Sequence, residues 1–225
     1  MNFYLLQIQV AAEAAKTQAE KSMTLWELTL KGGWIMIPLA ILAFVAIFIF
    51  IERFLAIRKA ASFESNFIDR IKDYIHEGKI DAALNLCSST DRPVARMIEK
   101  GIKRIGRPIK EIEDSIEIVG KFEVYNLEKN LVILGVIAGI APMFGFIGTI
   151  AGVIKIFYNI SLADNISIGL IAGGLYEKMV TSAAGLLIGI IAYIFYHWLN
   201  VMIEKVVHKL ELNAVNFIDL LQEPA

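Results

Sequence analysis

Two long apolar stretches with a few polar groups inside them most constrain what this chain can fold into. Residues 131–154 hold no charged side chain, but they include Pro142, Thr149 and five glycines. Residues 166–203 have Glu177, Lys178, Thr181 and Ser182 embedded among apolar side chains. A bilayer-spanning helix needs about 20 apolar residues, and ionisable residues inside one usually mark an ion or proton path. The two stretches therefore predict a membrane hairpin with a function inside the bilayer.

The composition of the 225-residue chain fits a membrane protein, since 56% of its residues are hydrophobic. A third apolar stretch, residues 34–51, is long enough for another span. No segment alternates polar and apolar residues as a strand does. We therefore expect an all-α membrane protein with three transmembrane helices and long cytoplasmic helical extensions.

The distribution of positive charge predicts the orientation. Fifteen Lys and Arg lie between residues 52 and 130, three lie before Trp34, and none lies in residues 157–166. Because Lys and Arg collect on the cytoplasmic side, the N-terminus is expected outside and the C-terminus inside. The predicted segments are 1–33 (periplasmic, with an interfacial helix), 34–51 (first span), 52–130 (cytoplasmic helices), 131–156 (second span), 157–166 (periplasmic turn), 167–203 (third span) and 204–225 (cytoplasmic helix).

The N-terminal segment lacks the basic start of a cleavable signal peptide. Trp26 and Trp34 instead flank a Lys-Gly-Gly sequence at the start of the first span, as interfacial aromatic anchors do. Cleavage near residues 11–15 is the alternative.

The region from 52 to 130 is predicted to form a series of helices. Phe63, Phe67, Ile71, Tyr74 and Ile75 form one apolar stripe at helical spacing. Breaks are expected at residues 76–78, 88–91 and 106–108, with Pro93 in the first turn of a helix. From Ile109 the helix is expected to run without interruption into the second span.

Composition also excludes several classes of function. The net charge is -1, with both signs interspersed, so nucleic acid is not an expected partner. The lone Cys87 excludes an internal disulfide, and we expect it to be a buried, reduced thiol. No phosphate-binding loop, zinc-protease motif or nucleophile elbow occurs. We expect no enzyme activity, no metal and no cofactor.

The polar residues of the third span share one side of the predicted helix. At 100° per residue, Glu177, Thr181, Lys178 and Ser182 fall within a sector of about 140°, opposite Met179 and Val180. Such a division is typical of a helix that lines a polar interior. The alternative is that the two hydroxyls only bind backbone carbonyls of their own helix.

Small residues dominate one face of the second span. Two pairs of glycines lie four residues apart, Gly148 with Gly152 on this span and Gly185 with Gly189 on the third span. A longer series recurs at spacings of three or four residues, and its members are Gly135, Gly139, Pro142, Gly145, Thr149 and Gly152. Small residues let membrane helices approach closely. Pro142 also leaves one backbone carbonyl without its helical partner and permits a kink. We expect packing and kink roles for Pro142, Gly145, Gly148, Gly152 and Gly185.

Two motifs on these spans carry a resemblance. APMFGFIGTIAG (residues 141–152) resembles the APLLGLLGTVxG signature of the ExbB/TolQ/MotA family of proton-channel subunits. GLYEKMVTSAAGL (residues 174–186) resembles that family's GIxEALxTTAxGL stretch. The likeness extends over nearly the whole chain beyond about residue 26. Three predicted spans and a large first cytoplasmic region favour the ExbB/TolQ branch.

The resemblance implies a pentameric ring in the bacterial inner membrane that is driven by the proton-motive force. The second and third spans would line a pore that holds an ExbD- or TolR-like single-span subunit, which supplies the ionisable aspartate. A TonB- or TolA-like protein would be the further partner. Thr149 matches the family's pore threonine, Glu177 its membrane glutamate, and Thr181 and Ser182 its threonine pair, which makes these four the expected proton path.

Three departures from the family pattern stand out. Ser182 replaces a threonine, GIIA (residues 189–192) replaces AIPA, and Lys178 replaces a small apolar residue. Five lysines facing one pore would repel protons unless each were paired. We therefore expect an ion pair of Glu177 with Lys178, within or between subunits, because neighbouring opposite charges favour each other's ionised form.

The expected function is that of a pore-forming subunit that converts the proton-motive force into work on the outer membrane, in TonB-dependent uptake. A TolQ-like subunit for envelope maintenance and a non-conducting membrane scaffold are the alternatives.

Overall fold

The computed structural model describes residues 33–62, 66–162 and 168–222, and most of these residues are helical. No strand occurs within these residues. The helices are α1 (Met36–Ala61), α2 (Asn66–His76), α3 (Ile80–Ser89), α4 (Pro93–Ile102), α5 (Ile109–Glu128), α6 (Leu131–Leu162) and α7 (Ile168–Gln222). The prediction of an all-α fold is confirmed. Trp26 and Phe63 lie outside the described residues, whereas Trp34 is 74% exposed.

Three apolar segments are long enough to cross a membrane, as predicted. They lie within Met36–Ala61, Ile109–Leu162 and Ile171–Gln222. Only 22–33% of the most apolar part of each segment is buried within the chain. Most of this surface therefore needs lipid or another protein to cover it. Helix α7 has 55 residues, or about 80 Å of helix. It is far longer than a bilayer is thick, so one part of it must extend beyond the membrane.

The predicted continuous helix from Ile109 into the second span is wrong. Helix α5 ends at Glu128, Lys129 has an extended backbone with ψ 134°, and Asn130 has a φ of 66°. Asn is among the few residues that tolerate this left-handed conformation. Its carbonyl then accepts a bond from Ile133 N (3.2 Å) as α6 begins.

Two other predicted breaks differ in position. Helix α6 continues to Leu162, so the turn predicted at 157–166 does not begin at 157; residues 163–167 lie outside the described part. No glycine or proline interrupts residues 157–162, and Ser161 bonds back to Tyr158 O at 2.7 Å. Ser88 and Ser89 belong to α3, and their hydroxyls likewise donate to carbonyls of their own helix. Arg92 precedes α4 without a side-chain cap, and Pro93 occupies its first turn as predicted.

The described residues form two compact units. The first comprises residues 33–41, 141–162 and 168–187, and the second comprises residues 42–62, 66–140 and 188–222. In the second unit, α4, α5 and α7 meet at Gly101. A methyl group added there would lie 2.6 Å from the Phe217 ring and 2.8 Å from Ile116 Cδ1. Only glycine fits this crossing. Cys87 is buried in the same unit, and burial raises the pKa of its thiol to about 12.

A chain of ion pairs joins four elements of the second unit. Arg96 on α4 binds Glu123 on α5 through two bonds of 2.8 and 2.7 Å, and it binds Asp91 at 2.8 Å. Asp91 in turn binds Lys59 at the end of α1 (2.6 Å). Lys59 and Arg96 hold the pKa of Asp91 below its usual range, and the bond to Glu123 raises the pKa of Arg96. The network fixes the connection between α3 and α4 against α1 and α5.

Removal of the buried charge in this network has a predictable cost. The Glu123 side chain is 8% exposed and that of Arg96 is 42% exposed. Glu123→Gln should lower the stability of the folded protein by about 1–3 kcal/mol, because Arg96 loses its buried carboxylate partner and keeps only its ion pair with the exposed Asp91. A thiol-reactive dye measures the effect, since the buried Cys87 reacts with it only as the protein unfolds on heating, and the variant should react at a lower temperature. Glu117→Gln breaks an exposed ion pair with Lys121, and it should leave the unfolding temperature unchanged. Equal shifts for the two variants would contradict this account.

Candidate functional site

The two polar-bearing apolar stretches form an antiparallel helix pair in the first unit. Residues 141–156 of α6 lie against residues 174–185 of α7. Five glycines, which we call the glycine interface, mediate the contact, and they are Gly145, Gly148, Gly152, Gly174 and Gly185. Their contacts run in opposite order along the two helices, from Ala141 with Gly185 to Ile156 with Gly174.

The closest approach lies at Gly145 and Gly185. A methyl group added to Gly185 would lie 2.6 Å from Ala141 O and 2.9 Å from Gly145 Cα. One added to Gly145 would lie 3.1 Å from both Ser182 Cα and Ser182 O. Backbone therefore packs on backbone, and no side chain can yield to make room. These distances support the packing role predicted for Gly145 and Gly185.

Thr181 faces the glycine interface and is fully buried. Its Cγ2 lies 2.9 Å from a methyl group added to Gly148, and Ile35 Cδ1 lies 3.3 Å from it. Gly148 thus leaves space for the threonine methyl. The predicted proton path includes Thr181, and its side chain lies between helices rather than on an outer face of the single chain.

The other two predicted hydroxyls are more accessible. Thr149 is half-buried, next to Gly148, and its hydroxyl donates to Phe146 O at 2.7 Å. Its proton is thereby held by the helix backbone, and its lone pairs remain as acceptors. Ser182 is half-buried one residue after Thr181. The alternative of hydroxyls that bond to their own helix thus applies to Thr149.

The half-buried Lys178 lies against Gly152. Its Cγ, Cδ and Cε occupy the space that a larger residue at position 152 would need. The aliphatic stem therefore packs within the helix pair, a contact that sequence reasoning missed. The Glu177 side chain lies outside what the structure describes, so the predicted Glu177–Lys178 ion pair stays a hypothesis.

Two further features near the glycine interface were not predicted. Ile156 Cδ1 lies 2.7 Å from a methyl group added to Gly174, so Gly174 extends the close contact by another turn of α7. Lys155 is exposed on α6. The signals in the sequence were a glycine in register with Ile156 and a lysine that directly follows the uncharged stretch.

The helix pair lies within the segment that a known family shares with this chain. The family described as the MotA/TolQ/ExbB proton channel family matches residues 89–212, which is more than half of the chain. The chain belongs to the MotA/TolQ/ExbB proton channel family. The match runs from the end of α3 to residue 212 of α7 and contains every residue of the glycine interface.

Similar proteins carry the ExbB and TolQ names. A biopolymer transport protein ExbB homolog from Methanothermobacter thermautotrophicus is 27% identical over 190 residues, which are 84% of this chain and 67% of that protein. The biopolymer transport protein exbB1 of Vibrio cholerae is 30% identical over 109 residues, 48% of this chain and 47% of that protein. The Tol-Pal system protein TolQ of Haemophilus influenzae is 29% identical over 97 residues, 43% of this chain and 41% of that protein.

Membership of the family agrees with the three apolar helices, and the chain is a multi-pass membrane protein of the proton-channel type. The family is one of channels and not one of enzymes. Among the described residues, no cluster of three or more His, Cys, Asp or Glu could hold a metal.

The glycine interface makes a prediction about single methyl groups. Gly185→Ala should destabilise the protein by about 1–3 kcal/mol, because the new methyl collides with backbone and the helices must separate. Gly139→Ala is the matched control, since a methyl added there meets no atom within 4 Å of it among the described residues. It should be neutral or stabilising by up to about 1 kcal/mol. Thermal unfolding in detergent, followed by tryptophan fluorescence, compares the two. Equal destabilisation would count against the close packing.

Proposed function

We propose that the chain is the pore-forming subunit of a proton-driven motor in the bacterial inner membrane, where it performs work on the outer membrane in TonB-dependent uptake. The observation that carries the proposal is the glycine interface, which brings hydroxyls and a lysine together inside bilayer-length helices. Ionisable groups at this depth are costly, and where they occur they usually mark an ion or proton path. Membership of the proton channel family and the ExbB names of similar proteins support the same role.

In this proposal several copies assemble, as a homopentamer, around an ExbD- or TolR-like single-span subunit. This partner supplies the carboxyl group that takes up and releases protons, since a threonine hydroxyl does not ionise at physiological pH. Thr149, Thr181 and Ser182 provide hydroxyl oxygens beside that carboxyl group. The lone pairs of Thr149 are available to accept a hydrogen bond from the protonated carboxyl or from water.

The energy scale is adequate for mechanical work. One charge that crosses the whole membrane gains about 2.3 kcal/mol per 100 mV. A few protons per step could therefore drive a rearrangement between two states of the complex. The proposed orientation places the N-terminus in the periplasm and the C-terminal end of α7 in the cytoplasm, because the Lys and Arg residues concentrate in 52–130.

Glu177 and Lys178 are proposed to form a structural ion pair instead of carrying the proton. The position of the Lys178 stem against Gly152 supports a fixed lysine. Under this hypothesis Lys178→Ala weakens assembly or energised transport. If that variant assembles and transports as the wild type does, the Glu177–Lys178 pair has no structural role.

A TolQ-like role in envelope maintenance is the second candidate, and the likeness to the TolQ of Haemophilus influenzae favours it. Co-purification with a TonB-like or with a TolA-like protein from the native host distinguishes the two roles. Capture of the TolA-like protein alone would replace the uptake role with envelope maintenance.

Proton flux tests the channel function itself. The chain and its single-span partner are reconstituted in vesicles that contain a pH-sensitive dye, and a membrane potential is applied. Thr149→Ala should reduce the flux about tenfold or more, because an acceptor on the path is lost. Thr149→Ser should retain most of the flux.

Ser161→Ala is the matched control for that experiment. Ser161 is also on α6 and also donates to a carbonyl three residues earlier, Tyr158 O at 2.7 Å, but it lies outside the glycine interface. Its loss should leave the flux unchanged. If Thr149→Ala and Thr181→Ala both conduct at the wild-type rate, the non-conducting scaffold would be the better account.

A further inference from the structure

A second polar site lies in the other unit. A cavity of about 380 Å³ opens between the end of α1, the start of α2 and the connection from α3 to α4. Its walls include Lys59, Ser62, Arg70, Asp91 and Arg92. The channel function proposed above does not use these residues, and the inference does not depend on it.

The charges around this cavity do not cancel. Asp91 is bound to Lys59 at 2.6 Å, and Arg96 contacts it at 2.8 Å from outside the cavity. The one carboxylate in the wall is thus already neutralised by Lys59. Two further cationic side chains, Arg70 and Arg92, line the same space. The cavity therefore has a surplus of two positive charges.

Both arginines keep donors for a ligand. Arg92 donates one guanidinium N–H to Lys59 O at 2.6 Å, which orients the group and leaves its remaining N–H donors. Arg70 forms no ion pair or side-chain hydrogen bond with any residue in the described part of the chain. A guanidinium presents its donors in a planar fork that matches the oxygens of a phosphate group.

The level of the cavity along the first span points to the source of such a group. The predicted first span ends at residue 51, just before the charged pair of Glu52 and Arg53. Lys59 then lies about 12 Å beyond the hydrocarbon, counted at 1.5 Å per residue. The headgroup layer covers roughly 5–8 Å of that distance. The cavity thus lies just beyond the headgroup layer, close enough to the membrane surface for a lipid phosphate to be one source of such a group.

We propose that this cavity binds the phosphate group of an anionic ligand, with Arg70 and Arg92 as its paired donors. An anionic phospholipid headgroup and free inorganic phosphate share this chemistry. Basic pockets beside membrane helices bind lipid headgroups in this manner. Occupation of the site would link the end of α1 and the α3–α4 connection to the same ligand.

Calorimetric titration of the full-length protein in a neutral detergent tests the proposal. The ligands are dioctanoyl phosphatidylglycerol, inorganic phosphate and the zwitterionic dioctanoyl phosphatidylcholine. Binding of the anionic lipid but not of phosphate identifies a headgroup site. Binding of phosphate with equal affinity identifies a site for the free ion. Either result supports the proposal if the double variant Arg70→Gln/Arg92→Gln weakens the binding about tenfold or more.

Two single variants keep the result interpretable. Arg70→Gln removes no ion pair or side-chain hydrogen bond within the described chain, so it should weaken binding several-fold while the unfolding temperature stays unchanged. Arg58→Gln removes an exposed charge at the same level of α1 but outside the cavity, and it should bind as the wild type does. The proposal is overturned if neither anionic ligand binds, if phosphatidylcholine binds as tightly as phosphatidylglycerol, or if Arg58→Gln weakens binding as much as the double variant.

Discussion

The contact between Gly145 and Gly185 limits how every other residue of the helix pair can be arranged. With Gly185 packed directly on Ala141 O and Gly145 Cα, the two helices have no freedom to slide or separate without losing contact. Membrane helices gain nothing from hydrophobic burial against one another, so such close packing is a main source of their association. The register of the pair follows from this one crossing, and with it the position of each polar group.

That register decides which side chains meet. Three residues along α6 from Gly145, Gly148 makes room for the methyl of Thr181, and one turn further Gly152 makes room for the stem of Lys178. With a residue larger than glycine at position 152, the methylenes of Lys178 could not occupy this space, and the charge at the end of the side chain would be displaced with them. The same small residues that hold the helices together thus also determine where the polar groups are. A proton path in this family member would depend on packing as much as on the hydroxyls themselves.

Much of this arrangement could be predicted from sequence, because apolar length and glycine spacing are local signals. The three spans, the helical second unit and the small-residue face all followed from them. The break at Asn130 did not, since an asparagine in a left-handed conformation has no signature beyond its own identity. The Lys178–Gly152 contact and the network from Lys59 through Asp91 and Arg96 to Glu123 join residues that are distant in the chain. Periodicity says nothing about such pairs, and only the packed structure brings them together.

The register of the helix pair is the central claim, and a disulfide tests it most directly. The Cβ of a residue at position 148 would lie 3.5 Å from Thr181 Cβ, within the range of about 3.5–4.5 Å that disulfides require. Gly148→Cys/Thr181→Cys should therefore form an intramolecular disulfide on mild oxidation, while the buried Cys87 stays unmodified. Met143→Cys/Thr181→Cys should not cross-link, because Met143 is 64% exposed. Peptide mass spectrometry after oxidation distinguishes the two. Cross-linking of the Met143 pair, or none in the Gly148 pair, would contradict the account.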